Sequence, residues 1–459
     1  MSKVKKLLRT NAGIPFIVFA FFKIVMHSRF ILWLDDVVVK GEQLHDTIWQ
    51  EILSAPHEMR DTLSSRIFIN PTFRILFHFD TKVWAALDIL AGLLMMYMFS
   101  YFFVEKEKKV QGNWIVMIFM LLLPFRYAVD SGWVATTVTY LWTTTFALVA
   151  TIPAKKAIEE RKVHWYEWFL YIPCILWASD NEQIAVVFGF VFLIVIIDRI
   201  HAKKVTPILY VEFLIMIAQV IIHARNNGLR TAVETEVRYP DFGRLSMIDR
   251  MELGFSSTMY EFVFNFSGVF FVLSLLLAVA IWINYKKKSY RILAAVPVLA
   301  SAVLGFGVSE VLEGKLHTAV FANRLLNSGT ITEGNYYRWQ SYYAIVILFA
   351  VSICLVLSIY LAFGNTRICG LAMTLMVAGL GSRVAMGLSP TVWFSGRRTY
   401  LLMYFCMLGV ALLLWKKLEE KLTAKQKKIL IGVIVCVAVV VYAYQFWMLD
   451  RVRRGLPFG

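Results

Sequence analysis

Two adjacent carboxylates, Asp35 and Asp36, directly follow the apolar run Phe30-Ile31-Leu32-Trp33-Leu34. A carboxylate held at a membrane boundary can serve as a general base or a metal ligand. It can equally cap a helix or stay solvated. Three short polar turns elsewhere interrupt long apolar runs. The first runs from Arg126 through Asp130-Ser131-Gly132-Trp133, and the second is Ala178-Ser179-Asp180-Asn181-Glu182-Gln183. The third follows Arg383 and holds Ser389-Pro390-Thr391 and Ser395-Gly396-Arg397-Arg398-Thr399. A bland hairpin needs only glycine and polar filler, so arginine and carboxylates in these turns suggest chemistry. The planar guanidinium fork donates two parallel hydrogen bonds and suits a phosphate. A neighbouring carboxylate suits deprotonation of a sugar hydroxyl. The candidate catalytic residues are therefore Asp35 and Asp36. The candidate substrate-binding residues are Arg66, Arg126, Asp130, Asp180, Glu182, Arg383, Ser389, Thr391, Arg397 and Arg398. The plain alternative is that each turn is an independent interfacial anchor.

The elements that must carry these turns are membrane helices. Of 459 residues, 59% are hydrophobic and 17% charged, well above the apolar share of a soluble domain. No linker is visible, and residues 1–459 read as a single transmembrane domain. The net charge of +16 does not point to nucleic acid, because the basic residues sit in short runs between apolar stretches. Spans of about 20 apolar residues are expected at 12–34, 83–104, 113–129, 135–153, 164–178, 182–198, 205–223, 263–284, 292–308, 342–363, 368–388, 399–415 and 429–448. That is an all-α, polytopic fold of about thirteen helices. Nothing near Met1 resembles a cleaved signal, so the first stretch reads as a retained anchor.

Lysine and arginine concentrate in alternate connections, such as Lys106, Lys108 and Lys109, then Lys155, Lys156, Arg161 and Lys162, then Lys286, Lys287, Lys288 and Arg291. The positive-inside rule puts these loops and the N-terminus in the cytoplasm of a multi-pass cell-membrane protein, with the C-terminus outside. Asp35-Asp36 and the three turns then share the outer face. Five cysteines lie scattered in apolar stretches without a CxxC spacing, which gives neither a disulfide framework nor a zinc site. No metal ligand is assigned, and a divalent cation stays open.

Three outside segments are long: 35–82, 224–262 and 309–341. In the first, Leu44, Ile48, Trp49, Ile52 and Leu53 recur at helical spacing opposite Asp46, Gln50 and Glu51, which predicts an interfacial amphipathic helix. Ile67 to Phe79, broken by Asn70-Pro71, reads as a second interfacial or re-entrant piece. The segment 224–262 mixes Arg225, Arg230, Arg238, Arg244 and Arg250 with acids and reads as a solvated cap. The third carries Glu310, His317, Arg324 and the aromatic group Tyr336-Tyr337-Arg338-Trp339. Lys23 stands mid-span, where a charge costs roughly 2.5–3.5 kcal/mol, and is expected to snorkel or to pair inside the bundle.

Asp35-Asp36, the stretch from Ser131 to Trp142, the Asp180-Asn181-Glu182-Gln183 turn and the Ser389 to Thr399 segment resemble a family of bacterial polytopic membrane proteins described as glucosyltransferase-like. More broadly, the layout is similar to the GT-C membrane glycosyltransferases. That resemblance implies a GT-C-like fold and a polyprenyl-phosphate sugar donor bound from the membrane lipid. It also implies a cell-envelope glycan acceptor, Asp35 or Asp36 as base, and arginines at the donor phosphate. The chain departs from the best-known members in lacking a large C-terminal soluble domain and a clear second metal-ligand motif. Two other functions remain open: an envelope polysaccharide polymerase or ligase, and a non-enzymatic transporter or flippase.

Overall fold

In a bilayer no water can satisfy backbone N–H and C=O groups, so a spanning chain must bond them within helices. The computed structural model describes residues 11–42, 44–61, 65–238, 240–305, 340–392 and 395–455. Among these every regular element is helical. The protein is an all-α polytopic membrane protein. The helices are α1 (Ile14–His27), α2 (Asp35–Glu42), α3 (Ile48–Asp61), α4 (Ile69–Phe77), α5 (Thr81–Phe103) and α6 (Lys109–Met120). There follow α7 (Trp133–Ile158), α8 (Trp168–Ala178), α9 (Glu182–His201) and α10 (Pro207–Arg238). The rest are α11 (Met247–Val263), α12 (Gly268–Asn284), α13 (Lys288–Gly305), α14 (Gln340–Phe363), α15 (Arg367–Met386), α16 (Leu401–Lys421) and α17 (Ala424–Arg453).

Each of the thirteen expected stretches contains a helix, but they are unequal. Among the described residues nine helices are long and apolar enough to cross, or ten if α11 and α12, bent by 80°, count as one broken span. The 12 residues of α6 rise about 18 Å against a hydrocarbon layer of about 30 Å. α8 has 11 residues and α1 has 14. Hydropathy alone does not separate such short pieces from full spans, because it reads the apolar composition of a stretch and not the length of the helix within it.

Most of the segment 224–262 is not loop. α10 continues to Arg238 and α11 begins at Met247. The expected third long segment lies almost wholly outside the described residues. The predicted interfacial helix is α3, with Trp49 and Leu53 about seven-tenths exposed. Glu51 turns inward and is fully buried. Its Oε1 accepts from the His45 N–H at 2.8 Å and lies 3.1 Å from His78 Nε2, while Oε2 is 3.6 Å from Arg74 Nη1. Asn70-Pro71 does not break α4. Pro71 sits in the first turn, where its missing N–H costs no intrahelical bond.

The bundle has the distribution a lipid solvent imposes. Ile17, Phe21, Leu90, Leu214, Val346 and Val440 are exposed, while Asp88, Glu212, Thr143 and Arg383 are buried. α16 is the most deeply buried of the spanning helices, which makes it the central pillar. Lys23 does not snorkel. Its Nζ donates to Asp88 Oδ2 at 2.6 Å, with both side chains buried. The His27 Nε2 lies 2.9 Å from the same oxygen, and Trp142 Nε1 donates to Oδ1 at 2.9 Å. A mid-membrane charge is tolerated here because both its counter-ion and the counter-ion's second oxygen are satisfied.

Removing one partner strands the other. K23M or D88L alone should lower stability by about 3–5 kcal/mol, while the K23M/D88L double variant should recover most of the loss. Thermal unfolding in detergent of all three proteins checks this.

Candidate functional site

The first N–H groups of a helix have no partner within it. In an apolar interior each must be met by another part of the chain. This molecule meets three such ends with carboxylates from distant segments.

Asp36 is fully buried at the start of α7. Its Oδ2 accepts from the Trp133 and Val134 N–H groups at 2.6 and 3.2 Å, and Oδ1 accepts from Ala135 at 3.0 Å. The approach requires Gly132, whose φ is +133° and where a Cβ would lie 2.7 Å from Asp36 Oδ1. Burial pushes the Asp36 carboxyl up to about 6, against the pull of the three N–H bonds. It remains largely ionised at neutral pH.

Asp180 repeats the device for α4. Its two oxygens accept from the Ile67, Phe68 and Ile69 N–H groups at 2.8 to 2.9 Å. Asp130 does so for the turn of 3-10 helix at Arg397–Tyr400 that leads into α16, accepting from the Arg397 N–H at 2.5 Å. Gly396, with φ +72°, leaves room for that carboxylate. Burial raises the pKa of both Asp130 and Asp180. Asn181 caps its own helix α9, accepting from Gln183 and Ile184.

Asp35 has a different environment. Its side chain is 49% exposed. Leu34, at φ +39°, turns the chain so that Asp35 N–H reaches Ser131 O at 2.9 Å while its carboxylate faces away. A left-handed leucine costs roughly 1–2 kcal/mol, so the surrounding bonds impose this turn. The Asp35 Oδ2 accepts from Arg398 Nη1 at 2.8 Å, and Arg398 Nε donates to Ser395 O. Asp35 and Arg398 line a cavity of about 250 Å³ with Arg66, Asn70, Thr139 and Tyr140. Arg66 reaches it while paired with Glu182, Nη2 to Oε2 at 2.9 Å. The cavity thus combines an accessible carboxylate with two guanidinium groups.

The other expected residues lie elsewhere. Ser389 and Thr391 bond each other and Ser395 within their own turn. Arg383 is wholly buried, with Nη1 donating to Thr399 Oγ1 at 2.6 Å and the guanidinium 3.9 Å from the Tyr400 ring centre. Arg126 and Arg397 flank the Tyr127 ring, and Arg397 Nε lies 3.8 Å from Glu261. Glu261 is buried and accepts from the Tyr127 hydroxyl and from Asn265 Nδ2. The 3-10 turn therefore directs Arg398 toward Asp35 and Arg397 toward Glu261. Sequence reasoning did not single out Glu261, Asn70 or Tyr140. A carboxylate within the apolar stretch before α12 was the available signal for Glu261. No group of three His, Cys, Asp or Glu fit to hold a metal occurs among the described residues. Comparison with protein-family models, curated proteins and solved structures finds no match to this chain.

G132A should cost about 1–3 kcal/mol through backbone strain and displacement of Asp36, read as a lowered melting temperature in detergent. The folded-state pKa of Asp36 lies above the free value of 3.8, so its contribution to stability is full below that pH and is lost as pH rises through about 6. The melting-temperature difference between wild type and D36N should therefore change across that interval; a constant difference would contradict the burial argument.

Proposed function

We propose that the protein is a membrane glycosyltransferase that moves a sugar from a polyprenyl-phosphate donor to a cell-envelope glycan. The observation that carries this reading is the cavity where a half-exposed carboxylate, Asp35, pairs with Arg398 and shares the lining with Arg66. The basic connections favour placing this end of the bundle outside, where lipid-linked sugars and glycan acceptors meet. The resemblance to GT-C enzymes in the first outside segment supports the same reading.

The chemistry follows from the groups present. Asp35 accepts the proton of an acceptor hydroxyl. The freed oxygen attacks the anomeric carbon, the bond from that carbon to the phosphate oxygen breaks, and the lipid phosphate leaves with the electron pair. Arg398 and Arg66 are placed to stabilise that growing charge, an effect strongest where water is excluded. Of the two adjacent carboxylates, Asp36 is committed to three N–H bonds, so the role of base falls to Asp35.

One observation favours a second reading, a transporter or flippase. Glu212 is fully buried in α10 and neither carboxyl oxygen has a hydrogen-bond partner among the described residues. Gln219 and His223, also buried, recur on the same helix face. Movement of a lipid-linked sugar across vesicles, lost in E212Q without any change in covalent structure, would favour it.

The transferase reading is tested on the envelope glycans of a strain lacking this gene, complemented with variants at equal expression. D35N should lower transfer by about 10²–10⁴-fold, and R398K and R66K by about 10²–10³-fold. Full restoration of the missing sugar by D35N would sink the reading.

A further inference from the structure

Residues 137–142 of α7, Thr-Val-Thr-Tyr-Leu-Trp, form a π-helical turn inside an otherwise α-helical span. Such turns are rare and poorly favoured, and they gather at functional sites. No proline or glycine lies within the stretch to force it. Side chains hold it instead. Thr137, Thr139 and Thr143 each donate to the carbonyl four residues back, at 2.5 to 2.6 Å. Trp84 Nε1 donates to Thr137 Oγ1 at 3.1 Å, and Asn181 Nδ2 donates to Thr139 O at 3.0 Å. Within the widened turn Thr139 O thus takes bonds from both the Thr143 hydroxyl and the Asn181 amide, while the Thr137 and Thr139 hydroxyls tie the turn to the carbonyls of Trp133 and Ala135 before it.

The widening has a geometric effect. In an α-helix of about 3.6 residues per turn, the third and fourth residues after Ala135 would return to its side, and Tyr140, the fifth, would not. In the wider turn the fourth and the fifth both do. Ala135, Thr139 and Tyr140 accordingly line the same cavity as Asp35, Arg66 and Arg398. Tyr140 is buried and lines that cavity beside Arg66, and its hydroxyl makes no hydrogen bond to protein among the described residues. An uncommitted hydroxyl that both donates and accepts is suited to reading another hydroxyl.

We propose that the π-turn is a specificity device: Tyr140 contacts a hydroxyl of the transferred sugar, and Asn181 is a positioning residue that keeps Tyr140 in place. This rests on the transferase reading above. A site built to bond a hydroxyl loses discrimination when its own partner is removed. A role confined to stability would lower turnover of all donors alike.

The experiment uses purified full-length protein in nanodiscs with short-chain polyprenyl phosphates carrying glucose, mannose or galactose. An envelope fraction from a strain lacking the gene supplies the acceptor. Release of polyprenyl phosphate is followed for wild type, D35N, Y140F and N181A. The readout is the ratio of kcat/KM between the best and second-best donor within one preparation, which does not depend on the folded fraction. The expected result is Asp35-dependent release with a ratio that falls at least about tenfold in Y140F and in the same direction in N181A. An unchanged ratio in Y140F, with Asp35-dependent release intact, overturns the specificity proposal alone. An unchanged ratio in N181A alone overturns the positioning role. Absence of Asp35-dependent release with every donor overturns the transferase reading and this proposal with it.

Discussion

The site depends on one constraint, that a helix end inside an apolar medium cannot leave its N–H groups unbonded. Asp36, Asp180 and Asp130 meet that constraint for α7, α4 and the turn before α16, in that order. Each cap joins segments far apart in the chain. Asp36 fixes the start of α7, Asp130 just before that start fixes the turn at Arg397, and Arg398 in that turn returns to Asp35. The result is a closed ring of three segments around the cavity. Because the third segment leads into the most buried helix, the ring is anchored in the rigid centre of the bundle.

The same constraint separates two neighbouring carboxylates. Asp35 and Asp36 share a backbone location and a chemistry. One is spent on three N–H groups, and the other is turned by Leu34 toward open space and a single arginine. A structural acid thus sits beside an available one.

Much of this was legible in the residues, and the limits have physical causes. The all-α membrane class follows from the long apolar runs. The turns at Asp130, Asp180 and Arg397–Arg398 stood out as polar clusters between them. Which turns would meet was not legible, because convergence depends on pairs such as Asp130 with Arg397, separated by 267 residues. The partner of Lys23 was within reach, since Asp88 is an acid in the next apolar run, yet hydropathy averages it away. The count of spans was obscured because hydropathy reads apolar composition and not helix length: α6 and α8, 12 and 11 residues long, are apolar without being long. Tyr140 was legible only as part of the Ser131 to Trp142 stretch and not as a site residue, since a π-turn has no sequence mark distinct from an α-helix of similar composition.

The ring also sets an order of events during synthesis. Asp35 meets Arg398 across 363 residues. As helices enter the bilayer one after another, Asp36 meets its partners by Ala135, while Asp35 waits for its arginine. The cavity acquires its second arginine only once nearly all of the described chain has been inserted. A nascent protein released early therefore carries Asp35 and Arg66 without Arg398, and the cavity wall is completed only in a late step.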